Sequence, residues 1–149
     1  MAHLEFSRDF AVAPNEIFVF FVPQRMPLWY GVEMNAHFEV QGGAPDFALG
    51  QKVRITGDLQ QWEVTLTAVI TAYTWERLLE WQFQDSYGVR GLQRWELEST
   101  HGGSRLRMRD SYRMPGLTGR IIDAIFTRFA VSKRDNAWLD RLQHLTELG

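Results

Sequence analysis

Six segments between residues 36 and 114 alternate apolar and polar side chains, and this repeated alternation most constrains the fold. An alternating segment is typical of a strand with one buried face, and consecutive strands with short connections favour an antiparallel meander. Turn-forming residues such as His101-Gly102-Gly103 separate the segments. The strands are predicted at 36–40, 52–59, 62–73, 79–83, 89–98 and 105–114.

Residues 3–13 alternate in the same way and predict a further strand ahead of the meander. A short helix is predicted to begin at Ala13-Pro14-Asn15-Glu16, because Pro suits the first helical position and Glu suits the first turn. A second short helix is predicted at about 24–30. A long helix is predicted at about 118–147, where apolar side chains recur at helical spacing.

A single curved sheet has one apolar face to cover, and the last helix is the only predicted element long enough to cover it. The predicted fold class is therefore α+β: a seven-stranded curved antiparallel sheet wrapped around a long C-terminal helix, with two short helices after the first strand. The chain has 149 residues, a length typical of one domain, so we expect a single domain over 1–149.

Composition excludes several classes of function. The chain has no cysteine, which excludes disulfide scaffolds, thiol nucleophiles and iron–sulfur clusters. A net charge of −2 argues against general nucleic-acid binding. Metal-ligand spacings, phosphate loops and dinucleotide motifs are missing, so we expect no cofactor and no metal. No apolar run is long enough to span a membrane and no signal-peptide pattern is seen, so we expect a cytoplasmic protein without integral membrane segments.

Three local motifs and the order of the elements resemble a known superfamily. The motifs are Ala13-Pro14-Asn15-Glu16-Ile17-Phe18, Met26-Pro27-Leu28-Trp29 and Gly50-Gln51-Lys52-Val53. With them, nearly the whole chain resembles the START / Bet v 1-like helix-grip superfamily (SRPBCC), most closely its polyketide cyclase/dehydrase-type branch. The resemblance implies a hollow between the sheet and the last helix, in which members bind or transform lipids, polyketides, hormones or aromatic compounds. It implies no particular reaction, since the superfamily shares an architecture rather than one catalytic motif.

Arg8 and Asp110 each interrupt an otherwise apolar strand face. In the helix-grip order the first and last strands are antiparallel neighbours, so we expect these two side chains to form an ion pair facing the cavity. The pair could anchor a ligand carboxylate or carbonyl, act as an acid–base pair, or satisfy only itself. Pairing is expected in every case, because a lone buried charge would be costly.

Bulky side chains on the predicted inward faces could either line the cavity or fill it. Aromatic residues make up 13% of the chain. One alternative is an aromatic-lined pocket in which Tyr112 and an indole N–H hydrogen-bond the ligand; the other is a solidly packed interior. With Arg8 and Asp110, the candidate ligand contacts are Trp29, Tyr30, Trp62, Trp81, Trp95, Met108, Tyr112, Ile125, Phe126 and Phe129.

His37 could act as a general base near neutral pH if it faced the cavity. The alternative is that the other set of alternating side chains faces inward. In that case Phe38 and Val40 are buried and His37 lies in water. A separate basic stripe of Arg105, Arg107, Arg109 and Arg113 could form a nucleic-acid or membrane patch, but we favour its interpretation as half of a set of cross-strand ion pairs. That interpretation requires Leu97 to pair with Leu106, so that glutamates lie opposite the arginines.

Three functions remain open. The first is binding, or transport, of a small hydrophobic ligand such as a lipid, polyketide or aromatic compound. The second is a cyclase/dehydratase-type enzyme acting on a polyketide-like carbonyl substrate, with Asp110 and Arg8, helped by Tyr112 or His37, moving the proton. The third is a protein-interaction module whose cavity is residual. The expected partner is a small hydrophobic molecule rather than a nucleic acid.

Overall fold

A computed structural model describes residues 2–59, 62–114 and 128–148. These residues form one seven-stranded antiparallel sheet in the order β1-β7-β6-β5-β4-β3-β2, with a long C-terminal helix packed on one face. The strands are β1 (Ala2–Phe10), β2 (His37–Val40), β3 (Lys52–Leu59), β4 (Trp62–Thr74), β5 (Leu78–Asp85), β6 (Arg90–Thr100) and β7 (Gly103–Arg113). The α-helices are α1 (Pro14–Phe18) and α2 (Arg128–Leu148), and three-residue 3₁₀ turns span Met26–Leu28, Val32–Met34 and Gln41–Gly43.

The predicted α+β architecture is confirmed, with local differences. The second short helix predicted at 24–30 is only the 3₁₀ turn Met26–Leu28. Pro27 has no N–H to extend a helix, and Gly31 takes a left-handed backbone conformation that ends the segment. The predicted start of the last helix, at 118, lies outside the described residues.

The inward face of the sheet is built by the alternation that the sequence shows. Val53, Ile55, Ala68 and Ile70 are all fully buried on β3 and β4. The pairing of β4 with β5 then shifts by one residue between Ile70 and Ala72. Because of this β-bulge, Tyr73 rather than Ala72 packs against the core, so the unbroken alternation predicted through residue 73 is wrong after Ile70.

α2 covers the inward face through Trp138, Leu139 and Leu142, all buried. Its exposed side is tied to β1 by Gln143, whose amide donates to the carbonyl oxygen of Asp9 at 3.1 Å. Within the described ranges, neither helix combines the length and apolar character that a membrane span needs.

The β6–β7 hairpin has the predicted register, with Leu97 opposite Leu106. Glu98 therefore lies across from Arg105, and Glu96 from Arg107. Glu98 forms ion pairs with Arg107 at 3.3 Å and with Arg105 at 3.8 Å. These pairs are exposed, so each stabilises the sheet by no more than about 1 kcal/mol. Arg105 and Arg107 are thus partnered by an acid of the neighbouring strand, whereas Arg109 pairs with Glu5 of β1 at 3.0 Å and Arg113 lies opposite Arg90.

Gly91 allows β6 to lie close to β7. A Cβ at this position would stand 2.0 Å from the carbonyl oxygen of Ser111 and 2.8 Å from the Cα of Tyr112. Both are backbone atoms of the neighbouring strand, so they cannot rotate away. Even the smallest side chain at this position must push the two strands apart.

We therefore expect Gly91→Ala to lower the free energy of unfolding by about 3 kcal/mol or more, as overpacking of a rigid site does. Gly102→Ala is the matched control, because a Cβ there would meet no atom within 4 Å. The control should change stability by less than about 0.5 kcal/mol. Urea unfolding of the three proteins measures the difference, and equal stability of the two variants would contradict the packing described.

Candidate functional site

Four aromatic rings pack together between the sheet and α2. The ring centroids of Trp81 and Trp95 are 5.1 Å apart, and Trp29 lies 6.0 Å from Trp95. Tyr30 lies 5.5 Å from Trp81. All four side chains have an exposed fraction of 1% or less. Of the two alternatives that the sequence left open, the filled interior describes this part of the molecule.

A buried glutamine connects these rings to an acidic side chain. The Tyr30 hydroxyl donates to Oε1 of Gln93 at 2.7 Å, and Nε1 of Trp81 donates to the same oxygen at 2.9 Å. The other end of the amide, Nε2 of Gln93, donates to Oδ2 of Asp110 at 3.5 Å. The polar ends of Tyr30 and Trp81 are therefore linked through Gln93 to Asp110.

Arg134 and Asp135 of α2 complete this polar cluster. One guanidinium nitrogen, NH2 of Arg134, donates to Oδ2 of Asp110 at 3.1 Å and to Oδ1 of Asp135 at 3.2 Å. The Asp110 and Asp135 side chains are only 1% and 0% exposed, whereas that of Arg134 is 36% exposed. The guanidinium also lies 4.5 Å from the centre of the Trp138 ring, in a cation–π arrangement. A single cation thus pairs with two buried acids. We call these two acids, Asp110 and Asp135, the carboxyl pair.

The carboxyl pair cannot be fully ionised at low cost, because one guanidinium balances only one negative charge. Burial and then the charge on Asp110 raise the pKa of Asp135 to about 9, although Arg134 opposes the shift. The protonated Asp135 also hydrogen-bonds Asp110, which favours the neutral acid. Burial likewise raises the pKa of the Tyr30 phenol, which stays neutral. At neutral pH the cluster therefore holds one proton and no net charge.

The carboxyl pair also retains unused acceptor capacity. Apart from the hydrogen bond between the two acids, Oδ1 of Asp110 and Oδ2 of Asp135 are buried and have no hydrogen-bond partner within the part of the chain that the structure describes. Buried carboxyl oxygens are normally satisfied, because leaving one unpaired costs about 1–3 kcal/mol. The shared proton, or a group from a ligand, would satisfy them.

The structure does not form the expected ion pair between Arg8 and Asp110. The register of β1 and β7 sets Leu4 opposite Asp110 and Arg8 opposite Leu106. Arg8 instead pairs with Asp140 on the exposed side of α2. Both residues lie on the predicted strands, but they are four residues apart along the ladder, and each takes its partner from the helix.

His37 is exposed, and Phe38 beside it packs inward, with its ring 5.7 Å from that of Tyr30. The alternative in which Phe38 faces inward and His37 lies in water is therefore correct. The hypothesis that His37 acts as a general base inside the fold is wrong. Met108 and Tyr112 are buried on the same strand face as Asp110. The side chains of Trp62 and Phe129, and all of Ile125 and Phe126, lie outside the described residues.

Sequence reasoning missed Arg134 and Asp135, which lie in the polar patch that interrupts the last helix. A signal for them was present in the spacing. Asp135 precedes the apolar Leu139 by four residues and Leu142 by seven, so the helical period places its side chain on the buried face. A charged residue on an apolar helix face requires a partner, and the inward Asp110 would have indicated where that partner lies.

A groove of about 1600 Å³ lies on the opposite face of the sheet and is separate from the polar cluster. Its walls include Gln82, Arg109 and Ser111, and neither the carboxyl pair nor Tyr30, Trp81, Gln93 or Arg134 lines it. We call it the outer groove. Among the described residues, no three His, Asp or Glu side chains come together as metal ligands.

Comparisons with solved structures establish the fold of this chain. An X-ray structure of a Mesorhizobium loti protein matches with a TM-score of 0.76 at 15% identity, covering 98% of this chain and 97% of that one. A Rhodobacter sphaeroides protein matches with a TM-score of 0.74 at 19% identity, covering 99% and 93%. DynU16, from the dynemicin biosynthetic locus, matches with a TM-score of 0.67 at 16% identity, covering 97% of this chain but 47% of its own. No family model and no curated protein matches. The fold is of the helix-grip type.

The proton held by the carboxyl pair makes stability depend on pH. Because the folded pKa of Asp135 lies above its unfolded value, the native state binds more protons between about pH 4 and about pH 9. The free energy of unfolding should therefore fall as pH rises through this window, by at most about 1.4 kcal/mol per pH unit from this group. Asp135→Asn has no such proton, and its amide can donate to Asp110 instead.

We expect the wild-type protein to lose more stability than Asp135→Asn between about pH 6 and about pH 9, measured by urea unfolding at each pH. Glu147→Gln, an exposed site on the same helix, should behave like the wild type. Parallel pH profiles for all three proteins would show that the pair does not hold a proton.

Proposed function

We propose that this chain binds a small, largely apolar molecule between the sheet and α2, beside the carboxyl pair. The observation that carries this proposal is a buried polar cluster with two unpaired carboxyl oxygens inside an interior otherwise made of aromatic and aliphatic side chains. Ligand sites typically combine an apolar lining with a few convergent polar groups, which fix the orientation of the ligand.

The proposed site lies on the β7 side of the interior, because the packed rings of Trp81 and Trp95 fill the β5–β6 side. Met108 and Tyr112 flank Asp110 on the inward face of β7 and supply contacts for the apolar part of the ligand. The contacts expected from Ile125, Phe126 and Phe129 belong to the same proposal. Arg134 is the cluster residue that reaches solvent, so the proposal places the entry of the ligand beside it.

A reaction on a polyketide-like carbonyl substrate is the second candidate function. A carboxyl that keeps its proton at neutral pH is suited to act as a general acid, and Asp135 is such a group. DynU16, which shares the fold, comes from a biosynthetic locus. Binding remains the leading proposal, because the hydrogen bonds of Tyr30, Gln93 and Arg134 are already made within the cluster and leave only the carboxyl pair for chemistry.

The binding proposal is tested with a neutral apolar dye, N-phenyl-1-naphthylamine, and with native mass spectrometry of the purified protein. We expect the dye to bind one site, and Met108→Trp to weaken its binding about tenfold or more by occupying the ligand space. The comparison is made at a temperature where circular dichroism shows every variant to be folded.

Val69→Trp is the matched control, since Val69 lines the outer groove and not the interior. It should leave dye affinity unchanged. Weaker binding in Val69→Trp with full binding in Met108→Trp would move the site to the outer groove, and no binding by the wild type would contradict the proposal. A small-molecule adduct in the native mass spectrum would give the class of the natural ligand.

A further inference from the structure

The carboxyl pair presents unused hydrogen-bond acceptors. Apart from the hydrogen bond between the two acids, Oδ1 of Asp110 and Oδ2 of Asp135 have no partner in the described chain. The two side chains are only 1% and 0% exposed, so bulk water does not satisfy these oxygens. A ligand group that fits beside them must therefore bring hydrogen-bond donors.

Charge indicates that a cation is the best source of those donors. The two aspartates carry two negative charges when both are ionised, and Arg134 is the one basic side chain of the described residues that contacts them. Buried carboxylates require compensating positive charge, so the ionised pair lacks one cation. A proton takes this place in the free protein, and a ligand cation can replace that proton.

Arg134 can keep all its contacts when a second cation binds. Its guanidinium uses Oδ2 of Asp110 and Oδ1 of Asp135, whereas the unused oxygens are the other member of each carboxyl group. The guanidinium is also held 4.5 Å from the centre of the Trp138 ring. The ligand therefore needs no oxygen that Arg134 already occupies.

The number of unused oxygens indicates which kind of cation fits. A guanidinium has up to five N–H donors and a primary ammonium has three, so either would leave donors unpaired beside two buried acceptors. A quaternary ammonium has no donor at all. A secondary ammonium has two N–H groups, one for each acid, and two carbon substituents that suit the apolar side chains nearby.

We propose that the carboxyl pair binds a protonated secondary amine, which donates one N–H to Oδ1 of Asp110 and the other to Oδ2 of Asp135. This inference rests on the proposed binding function and specifies the ligand class for the same site. The proton that the pair holds in the free protein leaves to solvent as the ammonium binds. The apolar remainder of the amine lies against Met108 and Tyr112.

Two probes of matched shape test the proposal: 2-(methylaminomethyl)naphthalene, which is a protonated secondary amine at neutral pH, and 2-(methoxymethyl)naphthalene, in which an ether oxygen replaces the ammonium. Isothermal titration calorimetry at neutral pH gives the ratio of their affinities. We expect the wild-type protein to bind the amine about tenfold more tightly than the ether, or better, because only the amine donates to the two carboxyl oxygens.

Asp135→Asn removes one carboxylate and leaves Arg134 paired with Asp110, so no negative charge remains for a ligand cation. We expect this variant to reduce the amine-to-ether ratio about tenfold to a hundredfold, as expected for the loss of a hydrogen bond to a charged group. Asp110→Asn should reduce the ratio in the same way, and it tests the site independently if Asp135→Asn does not fold.

Glu147→Gln is the matched control, because it removes one negative charge from an exposed site on α2. It should leave the amine-to-ether ratio unchanged. An equal fall in the control and in Asp135→Asn would overturn the proposal, since the preference would then come from long-range attraction.

The remaining outcomes separate this inference from the binding function. If neither probe binds the wild type, both fail. If both probes bind but the amine is no tighter than the ether, or if a folded aspartate variant keeps the ratio, the binding function stands and the amine site is overturned. Trimethyl(2-naphthylmethyl)ammonium keeps the charge but has no N–H. Its binding as tightly as the secondary amine would also overturn the proposal.

Discussion

The contact of Arg134 with Asp110 is the interaction on which the rest of the interior depends. Asp110 lies inside the sheet, almost without exposure, and a carboxylate there needs a cation. α2 supplies that cation, and both this requirement and the packing of its apolar residues select the same side of α2 to face the sheet. Trp138, Leu139 and Leu142 then pack inward, and Asp135 is buried with them. The proton on the second acid is thus a consequence of how the helix is attached to the sheet.

The strands and their order could be predicted from the sequence, because alternation reports burial directly and short connections make neighbours of consecutive strands. The register of β6 and β7 could also be predicted, since their hairpin loop is short and their charges are complementary. The register of β1 with β7 could not. The two strands are distant in sequence, and a slip by an even number of residues keeps every side chain on its face. Alternation alone therefore could not separate Arg8 from Leu4 as the residue opposite Asp110.

The candidate site was only half predictable for related reasons. Asp110 was evident as a charge on an apolar strand face, but its partners come from a helix whose rotation about its axis is set by packing. The aromatic residues were evident too, but whether Trp81 and Trp95 line a cavity or fill it depends on ring orientation, which composition does not determine. The Trp81 indole N–H and the Tyr30 hydroxyl both donate to Gln93, so these two rings and the carboxyl pair form one connected network rather than two separate features.

The central claim is that one buried carboxyl keeps its proton at neutral pH, and its most direct measurement is a carboxyl ¹³C NMR titration of protein labelled at aspartate. The account predicts one aspartate signal that remains in the protonated range at pH 7, changes near pH 9, and is missing from Asp135→Asn. Aspartate signals that all titrate below about pH 5, as unperturbed carboxyls do, would contradict it.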